Sequence, residues 1–142
     1  MGSKLIAIDP GVQKCGVAAF DDGKLVRANW IPGHSLWAVF LKADWNAALA
    51  IERMQVYKVS KGDPNDLILV SEMVGYLTAG FTVTSFYKPR TWKGQVPKTV
   101  IQKRVSKALD EAEFKVLMPW FNNHNVVDAV GIGLFHLGRI GK

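Results

Sequence analysis

The chain has 142 residues, a length that suits one domain with a sizeable core and leaves too little for two ordinary ones. No apolar run reaches the roughly 18–20 residues a membrane-spanning helix needs, and the stretch before Asp9, Leu5 to Ile8, is too short for a signal-peptide core. No membrane association is expected, and the expected location is cytoplasmic. The formal net charge of +6 favours a polyanionic partner, because each phosphate that a Lys or Arg neutralises releases counterions.

Residues 4–9 are predicted as a first strand, apolar on both faces and therefore central in a covered sheet. Its last residue, Asp9, is followed by Pro10-Gly11, so a carboxylate stands where a buried strand stops and the chain turns. Cys15, the sole cysteine, excludes an internal disulfide and reads as a small buried strand residue. Strands over 15–20 and 24–30 follow, joined at Asp21-Asp22-Gly23, where Asp-Gly supplies the positive φ angles of a tight hairpin.

Beyond the break at Pro32-Gly33, a short helix is predicted over 35–42 and a fourth strand over 47–52, which ends on Glu52 as the first ends on Asp9. Asp63-Pro64 marks a helix start, with Asp63 as N-cap and Pro64 at the first helical position. The helix runs over 64–79, with Leu67, Val70, Val74 and Leu77 on its inner stripe and Gly80 as its stop; Ile68, Leu69, Met73 and Tyr76 widen the apolar surface. A fifth strand over 81–87 leads into a loop over 88–97 and a second helix over 98–111, with Ile101, Val105 and Ala108 facing inward. After Asn122-Asn123-His124-Asn125, a last helix carries Asp128 through Gly138, its glycines suited to close approach to the sheet. Glu111 and Glu113 read as surface charges.

Asp9, Glu52 and Asp128 are candidates to converge on one sheet edge. Three acids brought together repel one another, and a divalent cation is the usual remedy. Mg²⁺, with Mn²⁺ as a substitute, suits oxygen ligands, and two such ions roughly 3.5–4 Å apart activate water and stabilise a leaving oxygen at a phosphodiester. His124 and Asn125 lie four and three residues before Asp128, on its helix face, and are candidates to complete the metal shell. Glu72, predicted mid-helix, is the weaker rival of Glu52. Arg90, Trp92, Lys93 and Lys98, followed by Lys103, Arg104 and Lys107, combine positive charge with an interleaved aromatic, a pattern suited to phosphate contact and base stacking.

Three segments carry a family resemblance: Ile8-Asp9-Pro10-Gly11 with Gly16-Val17-Ala18, Ala50-Ile51-Glu52-Arg53-Met54-Gln55-Val56-Tyr57, and His124-Asn125-Val126-Val127-Asp128-Ala129-Val130-Gly131. Together, in this order, they resemble the RuvC-like Holliday junction resolvases of the RNase H-like superfamily, particularly small phage-type members. The resemblance implies an α/β, RNase H-like fold, a five-stranded mixed sheet with its first three strands antiparallel and helices flanking it. It implies a single nuclease domain over residues 1–142, located in the host cytoplasm if the chain is phage-encoded. It further implies a metal-dependent endodeoxyribonuclease that cleaves four-way and other branched DNA as a homodimer, with Asp9, Glu52 and Asp128 as metal-binding catalytic carboxylates. The family often has a fourth acid three residues before the last; this chain has Asn125 there. An RNase H-like nuclease on RNA or RNA–DNA hybrid and a non-catalytic junction-binding module are the alternatives, and an actin-like nucleotide-binding domain is the weakest.

Overall fold

The computed structural model describes residues 3–32, 47–53, 63–81 and 83–141. Strand β1 (Lys4–Asp9) lies in the middle of a five-stranded sheet, and its side chains from Leu5 to Asp9 are buried on both faces. β2 (Lys14–Asp21) and β3 (Lys24–Pro32) follow as an antiparallel meander. Their connection is Asp22-Gly23, with φ of 50° and 78°, the pair of left-handed residues that a two-residue hairpin demands. β4 (Ala48–Glu52) and β5 (Thr84–Tyr87) run parallel to β1, giving the order β3-β2-β1-β4-β5. The mixed sheet with an antiparallel first half is therefore as expected.

Period-two alternation divides the core into two layers. Leu5, Ala7, Ala18, Phe20 and Ala50 face one way; Ile6, Ile8, Cys15, Val17, Leu49 and Ile51 face the other. The first layer is covered by the C-terminal helices and the second receives Val74 of α1 (Pro64–Thr78). Each fully buried aliphatic in this sheet contributes on the order of 1.5–3 kcal/mol. The N-cap expected at Asp63 is present, its Oδ1 accepting from Asn65 N–H at 2.9 Å. Val70 is buried, whereas Ile68 and Leu69 are 56% and 51% exposed.

The fifth strand begins at Thr84 and not at 81, because Phe81 is still closing the turn at the end of α1, its N–H donating to Thr78 C=O at 3.2 Å. The segment expected as an open loop holds a one-turn helix, α2 (Pro89–Trp92). Helix α3 (Lys98–Ala108) stops before 111, because Asp110 caps a separate helix, α4 (Glu111–Leu117). The cap is reciprocal: Asp110 Oδ1 accepts from Glu113 N–H at 2.9 Å, and Asp110 N–H donates to Glu113 Oε1 at 3.2 Å. The spacing Asp-x-x-Glu signals such a box in the sequence. After a 3₁₀ turn at Met118–Trp120, α5 spans His124–His136, ending before Gly138, whose φ of 72° turns the chain out of the helix. The helix expected over 35–42 lies outside the described residues. Among the described residues no helix is long and apolar enough to cross a membrane.

Glu113 corrects the expectation of a surface charge, being only 2% exposed. It forms a two-pronged ion pair with Arg139, Oε2 with Nη1 at 2.7 Å and Oε1 with Nη2 at 2.9 Å, and it accepts from Leu25 N–H at 2.8 Å. Arg139 also donates to Gly23 C=O at 2.8 Å. Burial raises the Glu113 pKa, but these donors outweigh it and hold the carboxyl below its ordinary value. The cluster ties the β2–β3 hairpin, α4 and the C-terminal segment together.

Candidate active site

Asp9 and Glu52 stand one step beyond the last parallel pair of β1 and β4, Ile8 opposite Ile51, so the two acids end adjacent strands on the same face of the sheet. That face is the one under α5, which brings Asp128 from above. Gly16 makes this closeness possible. It pairs with Asp9 in the β1–β2 register, and a Cβ at position 16 would collide with the carbonyl of Asn125 in the first turn of α5. Without a side chain there, the helix rests directly on β2. Gly133 plays the same part farther along, where a Cβ would run into the Phe20 ring.

All three acids are largely withdrawn from water: Asp9 is 7% and Asp128 8% exposed, and Glu52 keeps 12% of its side chain accessible. Desolvation pushes the Asp9 pKa well above the usual carboxylate value, and the charges of Glu52 and Asp128 raise it further against the opposing Lys93. Desolvation likewise raises Glu52, partly offset by Lys93 and by a hydrogen bond from Trp92. Burial is the leading cause for both Asp9 and Glu52, and the charge of Asp128 adds to each, so these carboxylates share one electrostatic environment.

Lys93 is the cation in that environment. Its Nζ donates to Asp128 Oδ2 at 2.7 Å and lies 3.9 Å from Glu52 Oε2. Burial works against the ammonium, but the surrounding carboxylates outweigh it and its pKa is raised. The neighbouring Trp92 is 1% exposed and its indole Nε1–H donates to Glu52 Oε2 at 2.9 Å. Burial leaves the ring no face for a nucleic-acid base, which corrects the stacking role expected for it. Lys93, expected as a phosphate contact, touches the acids themselves. Both residues reach the site because α2 turns sharply after β5, whose end at Tyr87 is paired with Glu52. The strand-end position that singled out Asp9 and Glu52 in the sequence also applies to β5, but its consequence falls on residues a few positions later.

The remaining expected residues divide by place. His124 and Asn125 open α5 behind the cap Asn123, whose Oδ1 accepts from Asn125 N–H at 3.1 Å and Val126 N–H at 3.2 Å. Among the described residues, no hydrogen bond joins the side chain of His124 or Asn125 to the three acids. His124 does share with Lys93, Lys98, Asn122 and Asp128 the wall of a cavity of about 200 Å³. Arg90, Lys98, Lys103 and Lys107 are exposed, and Arg104 is half-buried, its Nη1 donating to Lys93 C=O at 3.5 Å. Glu72 is an exposed residue of α1, away from the acids.

Among the described residues, no three acidic, His or Cys side chains close to the spacing of a preformed metal cage. The donor chemistry nevertheless fits a hard divalent cation. Asp128 lines a partly open cavity beside Lys93, the charges of Asp9, Glu52 and Asp128 are unfavourable together, and the lysine ammonium already compensates two of them.

The sheet order, the strand directions and the helices on both faces give the RNase H-like fold expected from the sequence. Among solved structures, Thermus thermophilus RuvC is similar at a TM-score of 0.63 and 15% identity, over 97% of this chain and 98% of that one. T. thermophilus RuvC in complex with Holliday junction substrate gives 0.56 and 14%, over 97% and 98% of the two chains. Fowlpox virus resolvase in complex with substrate Holliday junction DNA gives 0.60 and 14%, over 96% and 99%. No protein-family model and no curated protein matches the sequence. The likeness bears out the fold read from the three sequence motifs, across nearly the whole length.

Proposed function

We propose that the protein is a metal-dependent endonuclease that cleaves phosphodiesters in branched DNA, four-way junctions above all. The observation that carries this reading is the convergence of Asp9, Glu52 and Asp128 at the end of two parallel strands, with Lys93 between them, on a chain of net charge +6. Two of the structures similar to it are resolvases bound to Holliday junction DNA.

Asp9, Glu52 and Asp128 hold the metal, Mg²⁺ with Mn²⁺ as substitute, and His124 and Asn125 are placed to add to its shell. When bound, divalent metal supplies an activated water and neutralises charge on the phosphate and leaving oxygen. The protein's own contribution is position. The strand ends fix Asp9 and Glu52, Gly16 lets α5 bring Asp128 down to them, and burial excludes competing water. Lys93 balances the acids and presents its ammonium toward any phosphate entering the cavity. Arg90, Lys98, Lys103, Arg104 and Lys107 hold the flanking phosphates, each exposed contact adding a salt-sensitive increment to affinity. Residues 1–142 form a single nuclease domain in this account. Paired cuts across a junction need two such sites, and the apolar face of α1, with Ile68 and Leu69 exposed, is the surface on which two copies meet.

Asn125, where the resembling family often has an acid, favours one second reading, a module that binds junctions without cutting them. A panel of synthetic four-way junction, linear duplex and RNA–DNA hybrid, each with Mg²⁺ or Mn²⁺, decides among these. Junction cleavage is the expected result. Tight junction binding without cleavage in either metal supports the binding module, and preferential hybrid cleavage supports an RNase H-like activity instead.

A further inference from the structure

Trp92 is placed unlike an ordinary core tryptophan. Its indole N–H donates to the same oxygen of Glu52, Oε2, that lies nearest Lys93, at 2.9 Å. Its benzo edge packs against Gly131 of α5, three residues after Asp128, where a Cβ would stand 2.5 Å from Cζ3 of the indole. One rigid, buried ring thus spans the space between the strand that carries Glu52 and the helix that carries Asp128. A glutamate side chain has several rotamers open to it, and a buried donor on Oε2 selects among them, while among the described residues no hydrogen bond falls on Oε1.

We propose that Trp92 is a positioning residue for the nuclease centre: it holds Glu52 in the orientation that receives metal, and through Gly131 it sets the distance between Glu52 and the helix bearing Asp128. This rests on the reading of Glu52 as a metal-binding carboxylate. A tryptophan that merely fills the core satisfies its N–H with any nearby acceptor, and its loss is felt in stability alone. A positioning tryptophan is felt in metal use. Outer partners of ligating groups typically change metal affinity or activity by about 10–100-fold.

The test uses Trp92→Phe, which keeps most of the ring and removes the donor. Steady-state cleavage of a four-way junction should show kcat lowered by about 10–100-fold, KM for DNA little changed, and a higher Mg²⁺ concentration needed for half-maximal rate. Independently of cleavage, the ¹H–¹⁵N indole spectrum of wild-type protein should show the Trp92 resonance, identified by its loss in Trp92→Phe, moving on titration with Mg²⁺ alone and displaced in Glu52→Gln. The proposal is overturned if Trp92→Phe matches wild type in kcat and Mg²⁺ dependence while Glu52→Gln is inactive, or if the Trp92 resonance ignores both Mg²⁺ and Glu52→Gln. Full activity in Glu52→Gln instead removes the underlying assignment of Glu52, and this proposal with it. Should Trp92→Phe fold poorly, Gly131→Ala, which retains the donor but displaces the ring, should show the same rise in Mg²⁺ requirement; an unchanged requirement there counts against the proposal.

Discussion

Asp9 occupies a position that costs stability while it remains metal-free. Burial and the neighbouring Glu52 and Asp128 raise its pKa, so the folded chain keeps a proton that the unfolded chain loses at the ordinary carboxylate pKa near about 4. The folded state then binds more protons than the unfolded one, and the stabilisation present below that value is lost progressively as pH rises through the elevated folded pKa. Metal-free protein should therefore show a melting temperature that declines from acid toward neutral pH, with Mg²⁺ restoring it. Asp9→Asn should flatten the decline and raise the metal-free Tm at neutral pH by about 3 °C or more, as roughly 1 kcal/mol of relieved repulsion implies. Parallel pH profiles of Tm for metal-free wild type and Asp9→Asn would contradict this. Glu113 shows the opposite design, an acid whose donors more than compensate its burial. Arg139→Ala would strand that carboxylate, at a cost of about 3–5 kcal/mol, read as a lower urea midpoint; an unchanged midpoint would count against the cluster's structural role.

The helix α5 and the strand β2 meet with almost nothing between them, and the proposed chemistry would depend on that contact. Gly16→Ala should force Asn125 and the start of α5 away from the sheet, with an overpacking cost of about 1–3 kcal/mol. The displacement also moves Asp128 relative to Asp9, so cleavage should fall more than the stability loss explains, measured as initial rate at a temperature where the variant is fully folded. Equal activity to wild type would show that α5 can shift without consequence. Elements of this kind were unevenly legible in the sequence. The apolar run ending at Asp9, the Asp-Gly hairpin and the Asp63-Pro64 helix start are each dictated by local chemistry, and all appear where expected. The breaks at 81–84 and 109–110 were missed, because hydrophobic spacing continues across them while turn and cap hydrogen bonds decide the boundary.

The three acids proposed for the site could be picked out in the sequence, but the arrangement around them could not. Asp9 and Glu52 announce themselves by ending apolar strands, and Asp128 by its segment. Trp92 and Lys93 gave only the signal of an aromatic beside charges, which reads as a nucleic-acid surface, and only the topology β4–α1–β5–α2 turns them inward onto Glu52. Glu113 was misjudged for the same reason: its partner, Arg139, is distant in sequence. The exposed Ile68 and Leu69 make a further expectation testable. Ile68→Glu should convert a dimer to a monomer by sedimentation or light scattering and suppress paired cutting of a junction while sparing single nicks. A wild-type protein that is monomeric at all concentrations would remove the α1 interface from the account.

In the proposed function, the three convergent carboxylates make this chain a junction nuclease. The most direct test of that reading is the single-turnover rate at which a synthetic four-way junction is cut in Mg²⁺ by wild type and by Asp9→Asn. Wild type should cut near the branch point, and the variant should be slower by about three orders of magnitude while still binding the junction. Cleavage by Asp9→Asn at the wild-type rate would contradict it.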